Sequence, residues 1–297
     1  MGDFVIETKG LTKSFKGNPA LCGLDLRVPA GSVFGFLGRN GAGKTTTIKT
    51  LMGLLRPDAG TAHVFGIPVS DADGSAEIRR RLGFVTEDKE MYPYMTVEQI
   101  IRFTRSFFPK WRDDLEQRYL KMFELPPQRK IPDLSKGMRS KLILLLAVSR
   151  GADLLILDEP TDGLDPVGIE DVLRELVAIA ASEGTTMFFS SHQLSEVEMI
   201  ADHIGIIDRG RVIVTGVLDD LKARYRRVQI MLDRSVELPA QWPHGVESVR
   251  NEGRVISILT SGNVDAVIEQ AQSLPGATVE LYPVTLKEMF LEHVRTD

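Results

Sequence analysis

The sequence predicts an α/β chain built on a parallel sheet, with a helical insertion and a small α+β region towards the C-terminal end. Three observations carry that prediction. Apolar runs of strand length alternate with longer helical patterns over much of the first 220 residues. The run Leu154-Leu155-Ile156-Leu157 is apolar without alternation, as a parallel strand covered on both faces should be. After LKARYRR (221–227) the texture changes to short alternating strands joined by turns and helical patterns.

Taken in order, FVIET (4–8), LDLRV (24–28) and SVFGFL (32–37) read as short strands separated by Gly, Pro and Asn. From residue 38 the pattern is strand, Gly-rich turn, then the helix TTTIKTLMGLL. Residues 88–150 break the alternation: TVEQIIRFTRSFFPKW and DDLEQRYLKMFELP are helical and rich in aromatics, which predicts a helical insertion there. Within it, DLSKGMRSKLILLLAV (133–148) reads as a buried helix with Ser135 as N-cap and Gly137 in the first turn. The strands ADLLILD (152–158), TTMFFSS (185–191) and HIGIIDRG (203–210) follow, with the helix VGIEDVLRELVAIAASEG (167–184) closed by a glycine. DRGRVIVTG (208–216) reads as a hairpin. A domain boundary is expected near Tyr225, giving domains 1–224 and 225–297. In the second, VQIML and VESVRNEGRVISIL supply three strands, followed by the helix VDAVIEQAQSL, the strand ATVELYPV and the helix LKEMFLEHV.

Composition narrows the function classes. The 297 residues are 43% apolar and 26% charged, and the net charge is −5 with Lys and Arg spread throughout, so a nucleic-acid-coating role is not expected. Cys22 is the only cysteine, so no internal disulfide can form, which fits a reducing compartment. The opening MGDFVIETKG has no basic segment followed by an apolar run, and no secretory signal is expected from it. The longest apolar run, Leu142 to Val148, is far short of the about 20 residues of a membrane span.

Three short segments carry chemistry. FLGRNGAGKTTT (36–47) fits G-x-x-x-x-G-K-[ST], follows an apolar strand and opens a helix, which is the context a phosphate-binding loop requires. Gly38, Arg39, Asn40, Gly41, Ala42 and Gly43 would turn backbone N–H groups towards a β-phosphate. Lys44 would place a charge on the β- and γ-phosphates, and Thr45, followed by Thr46, would hold Mg²⁺. Kinases, GTPases and motors share this loop, so it defines a nucleotide site and not a function. LLILDEP (154–160) ends a buried strand in Asp158, expected to reach Mg²⁺, and Glu159, the candidate base for an attacking water. His192 closes TTMFFSSH, at the carboxyl edge of a parallel strand where ligands bind. A second helix start able to hold an anion, at Ser135 and Gly137, has no evident use in a chain that already holds phosphate through its own loop.

The set GRNGAGKTT, LSKGM, LLILDEP, GLDP (163–166) and SSH, in this order and spacing, resembles the ATP-binding cassette (ABC) family over about residues 3–220. The resemblance implies a P-loop NTPase cassette with an antiparallel β subdomain, ATP and Mg²⁺ as ligands, and hydrolysis by Lys44, Glu159 and His192. It implies a head-to-tail dimer, homodimeric or heterodimeric, in which ATP lies between one chain's phosphate loop and the other's signature helix. That answers the question of the second anion site: Ser135 and Gly137 would serve the partner's γ-phosphate. The cassette with a small C-terminal domain resembles the ATPase subunits of bacterial exporters of drugs, peptides or polysaccharides. Such a subunit works through separate membrane permease subunits and lies in the cytoplasm against the inner face of the cell membrane.

The chain also departs from the family pattern. The signature is usually LSGGQ, whereas Lys136 and Met138 stand here. A lysine in a first helical turn opposes the helix dipole by about 0.3–1 kcal/mol, while a facing triphosphate would favour it. Glu87 stands where a metal-contacting glutamine is expected, and Phe15 where an adenine-stacking tyrosine is. Core packing explains most of the aromatics Phe103, Phe107, Phe108 and Trp111, and a subset of them, with Tyr92 and Tyr94 near Glu87, should line a groove that docks a permease's cytoplasmic helix. A soluble cassette acting on nucleic acid or ribosomes would carry two cassettes or a long coiled coil, and a GTPase would carry an N-K-x-D stretch. None of these features is present.

Overall fold

The computed structural model describes residues 3–86, 91–234, 236, 238, 239 and 241–295. Two compact units emerge, Met1–Thr215 and Gly216–Asp297. The first opens with β1 (Phe4–Phe15) and β2 (Asn18–Pro29), an antiparallel pair turning through Lys16 and Gly17 at φ 49° and 84°. Then β3 (Val33–Gly38) runs buried along its whole length into the glycine turn and α1 (Lys44–Leu51). β4 (Ala59–Val64) and β5 (Ile67–Pro68) return to the first sheet, whose order is β2-β1-β4-β5. This is the antiparallel subdomain. Ile6, Leu24, Leu26 and Val28 of its strands share one core with Phe34, Phe36 and Ile48 of β3 and α1.

The second sheet is largely parallel. It takes in β6 (Leu82–Val85), β7 (Leu154–Asp158), β8 (Thr186–Ser191), β9 (His203–Asp208) and β10 (Arg211–Val217), in the order β10-β9-β3-β8-β7-β6. Strands β3, β7 and β8 are neighbours and parallel, so their carboxyl ends, Gly38, Asp158 and Ser191, meet at one edge. The non-alternating run 154–157 is fully buried, as its pattern requires. β9 turns into β10 through Arg209 and Gly210 at φ 45° and 74°, the expected hairpin.

Beyond α2 (Ala72–Arg81) and β6 comes the helical insertion: α3 (Val97–Arg105), α4 (Asp113–Met122) and α5 (Lys136–Val148). α3 starts on a reciprocal capping box between Thr96 and Gln99. α5 buries Leu142, Leu144, Leu145 and Val148. α6 (Pro166–Glu183) has Asp165 as N-cap, Pro166 in its first turn and Gly184 at φ 64° as its stop. α7 (Leu194–Ile200) follows the end of β8.

In the second unit, α8 (Leu218–Arg224) leads into β11 (Arg226–Leu232), β12 (Val246–Glu252), β13 (Val255–Thr260), α9 (Val264–Gln272), β14 (Ala277–Pro283) and α10 (Leu286–Arg295). The sheet order is β12-β13-β11-β14, with antiparallel neighbours. Val267, Ala271 and Leu274, on and just after α9, cover Val228, Ile230, Ile256 and Ile258. Trp242 and Leu238, from the segment between β11 and β12, pack on the same core.

The α/β architecture agrees with the sequence expectation. The sequence reading passes over β4, β5, α2 and β6. AGTAHV is small and polar, Pro68 interrupts β5, α2 is mostly polar, and LGFV follows α2 with no turn residue between them. The unit division falls at 215/216, so α8 goes with the C-terminal unit, ahead of the boundary near Tyr225.

Candidate functional site

The glycine turn at the end of β3 is shaped by contacts that exclude side chains. A Cβ on Gly38 would stand 2.6 Å from the Ile207 carbonyl oxygen, and one on Gly43 would stand 2.7 Å from that of Ala20. Gly43 also holds φ 113°, a conformation natural only to glycine. Ala42 is buried; its N–H donates to Arg39 O at 3.1 Å and its carbonyl accepts from Gly210 N–H at 2.9 Å. Gly210 O in turn accepts the Cys22 N–H at 2.9 Å, so β2 and the β9–β10 turn brace the loop from below.

Arg39, Asn40, Gly41, Gly43, Lys44, Thr45 and Thr46 line one cleft of about 340 Å³ together with Ala20, Asp158 and Glu159. Lys44 is buried and donates from Nζ to Gly38 O at 2.8 Å, with Glu159 Oε1 at 3.8 Å. Thr45 Oγ1 donates to Asp158 Oδ2 at 3.0 Å. The other oxygen, Asp158 Oδ1, accepts the Ser190 hydroxyl at 2.5 Å.

Glu159 is mostly enclosed, its side chain 13% exposed. Oε2 lies 2.8 Å from His192 Nδ1, whose ring is 55% exposed. Its backbone holds φ 49°, a left-handed conformation rare for a residue with a side chain. The Glu159 N–H donates to both the carbonyl and the hydroxyl of Ser190, each at 3.2 Å, which secures that conformation. Burial pushes the Glu159 carboxyl above the usual glutamate range, against the opposing pull of His192 and then Lys44.

These residues fit a nucleoside triphosphate with Mg²⁺. The glycine cradle has no room for a Cβ at Gly38 or Gly43, and the first-turn N–H groups of α1 have no partner within the helix. A hydroxyl and a carboxylate, Thr45 and Asp158, already converge, and Mg²⁺ commonly takes one or two protein oxygens and completes its shell with phosphates and water. Lys44, Glu159 and His192 stand in one hydrogen-bonded and ion-paired chain beside them.

Ser135 and Gly137 are not among the residues lining this cleft. Ser135 is the N-cap of α5 and accepts the Met138 N–H at 3.1 Å, while its hydroxyl hydrogen remains available to donate. Phe15 ends β1 at the hairpin tip, 45% exposed, with the Lys13 ammonium 5.8 Å from the ring centroid; it too lies apart from the cleft lining. Glu87 lies outside the described residues. Ser190 and Ala20 escaped the sequence reading. The Ser190-Ser191 pair was a visible signal, two hydroxyls closing an apolar strand, whereas Ala20 enters only through tertiary folding.

A parallel sheet whose carboxyl edge carries a glycine-lysine loop, a second-strand Asp-Glu pair and a third-strand histidine defines a P-loop nucleoside triphosphatase. The model of the family described as ABC transporter matches residues 21–162. A further model, described as AAA domain, putative AbiEii toxin, Type IV TA system, matches residues 127–198. The chain is 36% identical to the bacitracin transport ATP-binding protein BcrA of Bacillus licheniformis over 75% of this chain and 73% of that one. It is 40% identical to the daunorubicin/doxorubicin resistance ATP-binding protein DrrA of Streptomyces peucetius, over 73% of this chain and 67% of that one. Among solved structures, an ATP-binding subunit of an ABC transporter superposes with a TM-score of 0.67 at 29% identity, covering 74% of this chain and 92% of that one. A dimeric bacterial ABC transporter cassette superposes with a TM-score of 0.66 at 23% identity, over 72% of this chain and 98% of that one, which shows a shared fold. The chain belongs to the ABC transporter ATP-binding subunits and is an ATPase of that class.

Proposed function

We propose that this chain powers export of a small amphipathic or peptide-like compound through separate permease subunits, by hydrolysing Mg²⁺-bound ATP at the interface of two cassettes. Thr45 and Asp158 would hold the metal, which would supply positive charge against the phosphates. Lys44 and the N–H groups of residues 38–46 bind the β- and γ-phosphates, and Phe15 offers a ring face to the base. Glu159, its carboxyl raised towards neutral pH by burial, takes a proton from water, and His192 orients it. The named roles of BcrA and DrrA in bacitracin transport and drug resistance support export as the direction. Among the described residues no helix is long and apolar enough to cross a membrane, so the pathway falls to partners. The chain then works on the cytoplasmic face of the cell membrane.

The observation that carries the dimer is the separation of the two phosphate-binding helix starts. Lys44 and Glu159 share one cleft, and Ser135 and Gly137 lie outside it with a hydroxyl left to donate. A mixing experiment tests this. Lys44→Ala chains should lose ATP binding, and Ser135→Arg chains should bind ATP and fail to turn it over. In a mixed dimer both lesions fall in one composite site and the other site is intact. ATPase activity should therefore return on mixing, in a preparation where mixed dimers are shown to form and a single intact site is shown to turn over. Continued inactivity there would mean that each site is built within one chain.

The second surface in this reading is an aromatic ladder. Tyr94, Tyr92, Phe103 and Phe107 are exposed and touch in that order, the two tyrosines tilted and the other pairs edge to face, with ring centroids 5.1 to 5.7 Å apart. Such a cluster of exposed rings is a docking signature, and a permease's cytoplasmic helix is the partner it suits. Phe108 and Trp111 belong elsewhere: Phe108 packs on the Arg150 guanidinium at 4.4 Å, and Trp111 donates from its indole N–H to Glu116 at 2.6 Å.

A further inference from the structure

The lysine that interrupts the signature is not a loose surface side chain. Its stem lies along Gly163, where an added Cβ would stand 2.7 Å from Lys136 Cγ and 2.8 Å from Cδ. The ammonium reaches the Asp162 carboxylate at 3.0 Å. Two more contacts join the same pieces of chain. Ser140 Oγ donates to Asp162 O at 2.8 Å, and the space at Gly137 is closed by Gly163 O, 3.1 Å from where a Cβ would be. The 159–164 turn is itself tight: Asp162 N–H donates to Glu159 O at 3.2 Å, and Leu164 N–H to Thr161 O at 3.1 Å. An ion pair and two backbone hydrogen bonds thus join Lys136 to the turn that begins at the left-handed Glu159.

We infer that Lys136 is a positioning residue for hydrolysis: through Asp162 it holds the first turn of α5 against the turn that fixes Glu159. The inference rests on the composite-site reading above. In that reading the first turn of α5 faces one ATP while Glu159 of the same chain faces the other. The Lys136–Asp162 pair is then a short mechanical path between the two sites. A glycine at 136 would remove this ion pair and leave the Ser140 hydrogen bond to Asp162 O in place.

Lys136→Met keeps the stem on Gly163 and removes the charge; Asp162→Asn keeps shape and removes its partner. In the full chain, each change should lower the ATPase kcat by about two- to fivefold, the effect of a surface ion pair. The Hill coefficient for ATP should fall, and ATP affinity at the chain's own loop, read with a fluorescent analogue, should stay the same. The double variant should be no slower than either single one, because both break one link. Lys136→Arg should retain turnover. Loss with Lys136→Met but not with Asp162→Asn would place Lys136 on the nucleotide itself and overturn the inference. So would additive losses, undiminished turnover in both variants, or an Arg variant as slow as the Met one. If the mixing experiment fails while the two single losses coincide with the double, the composite site is wrong and Lys136 still positions Glu159 within its own chain.

Discussion

Opposed forces set the state of the Glu159 carboxyl. Enclosure disfavours its charge, while His192 at 2.8 Å and Lys44 at 3.8 Å favour it, and enclosure prevails. The sign of the stability effect follows. The folded protein binds this proton more tightly than the unfolded chain, so the group's contribution is fully present below the ordinary Glu range, near pH 4.3, and is lost as pH rises through the raised folded value. Glu159→Gln removes that loss. Without nucleotide, its melting temperature relative to the parent should climb as pH rises from about 4 through the raised folded value, read by differential scanning fluorimetry; a flat difference would mean the carboxyl is not raised. The same variant should bind ATP, accumulate dimers with it, and hydrolyse it about two or more orders of magnitude more slowly. Normal turnover would remove Glu159 from the chemistry.

At the scale of elements, what the sequence makes legible depends on how local the cause is. The glycine loop, the Ser135 cap and the stop of α6 at Gly184 are written in adjacent residues, and the structure has each where the pattern puts it. β4 has no such signal and α2 has only the Asp71 cap, which accepts the Gly74 N–H at 2.8 Å; the rest of their stability comes from neighbours, since Ala62 and Val64 are buried by the antiparallel sheet and Ile78 by the shared core. The use of Lys136 was equally hidden, since Asp162 lies 26 residues away. The aromatics of the insertion divide in a way that hydrophobicity alone cannot foresee. Phe107 is 61% exposed while Phe108, the next residue, is held against Arg150. That division yields a prediction for α3 and its approach. Tyr94→Ala with Phe107→Ala should leave basal ATPase and melting temperature near the parent values, because exposed side chains cost about 0.5 kcal/mol or less to remove. Transport by the assembled complex should fall. Parallel loss of ATPase and transport would make these rings structural.

For the whole molecule, the division into Met1–Thr215 and Gly216–Asp297 coincides with two self-contained cores, one around β3 and α1 and one around β11 and α9. The residues that line the cleft at the glycine turn, from Ala20 to Glu159, all lie in the first. A chain ended after Val217, where β10 closes, should therefore bind ATP with the parent's affinity and melt in one cooperative transition. A soluble truncated chain that no longer binds ATP would show that the second unit shapes the first. If ATP binding persists while activity in the assembled transporter is lost, the second unit acts on coupling.

The left-handed backbone at Glu159 has a meaning for how such a sequence can drift. A non-glycine residue in that conformation costs on the order of 1 kcal/mol, and its enclosed carboxyl adds a further penalty at neutral pH. Glycine would be the more comfortable occupant on both counts. Selection that rewarded only thermal endurance would thus erode this position early, whereas in the proposed mechanism selection for ATP turnover would hold the carboxylate. A library of this chain screened for heat resistance alone should return Gly, Asn or Gln at 159 among its first enriched changes, each bought at the expense of catalysis.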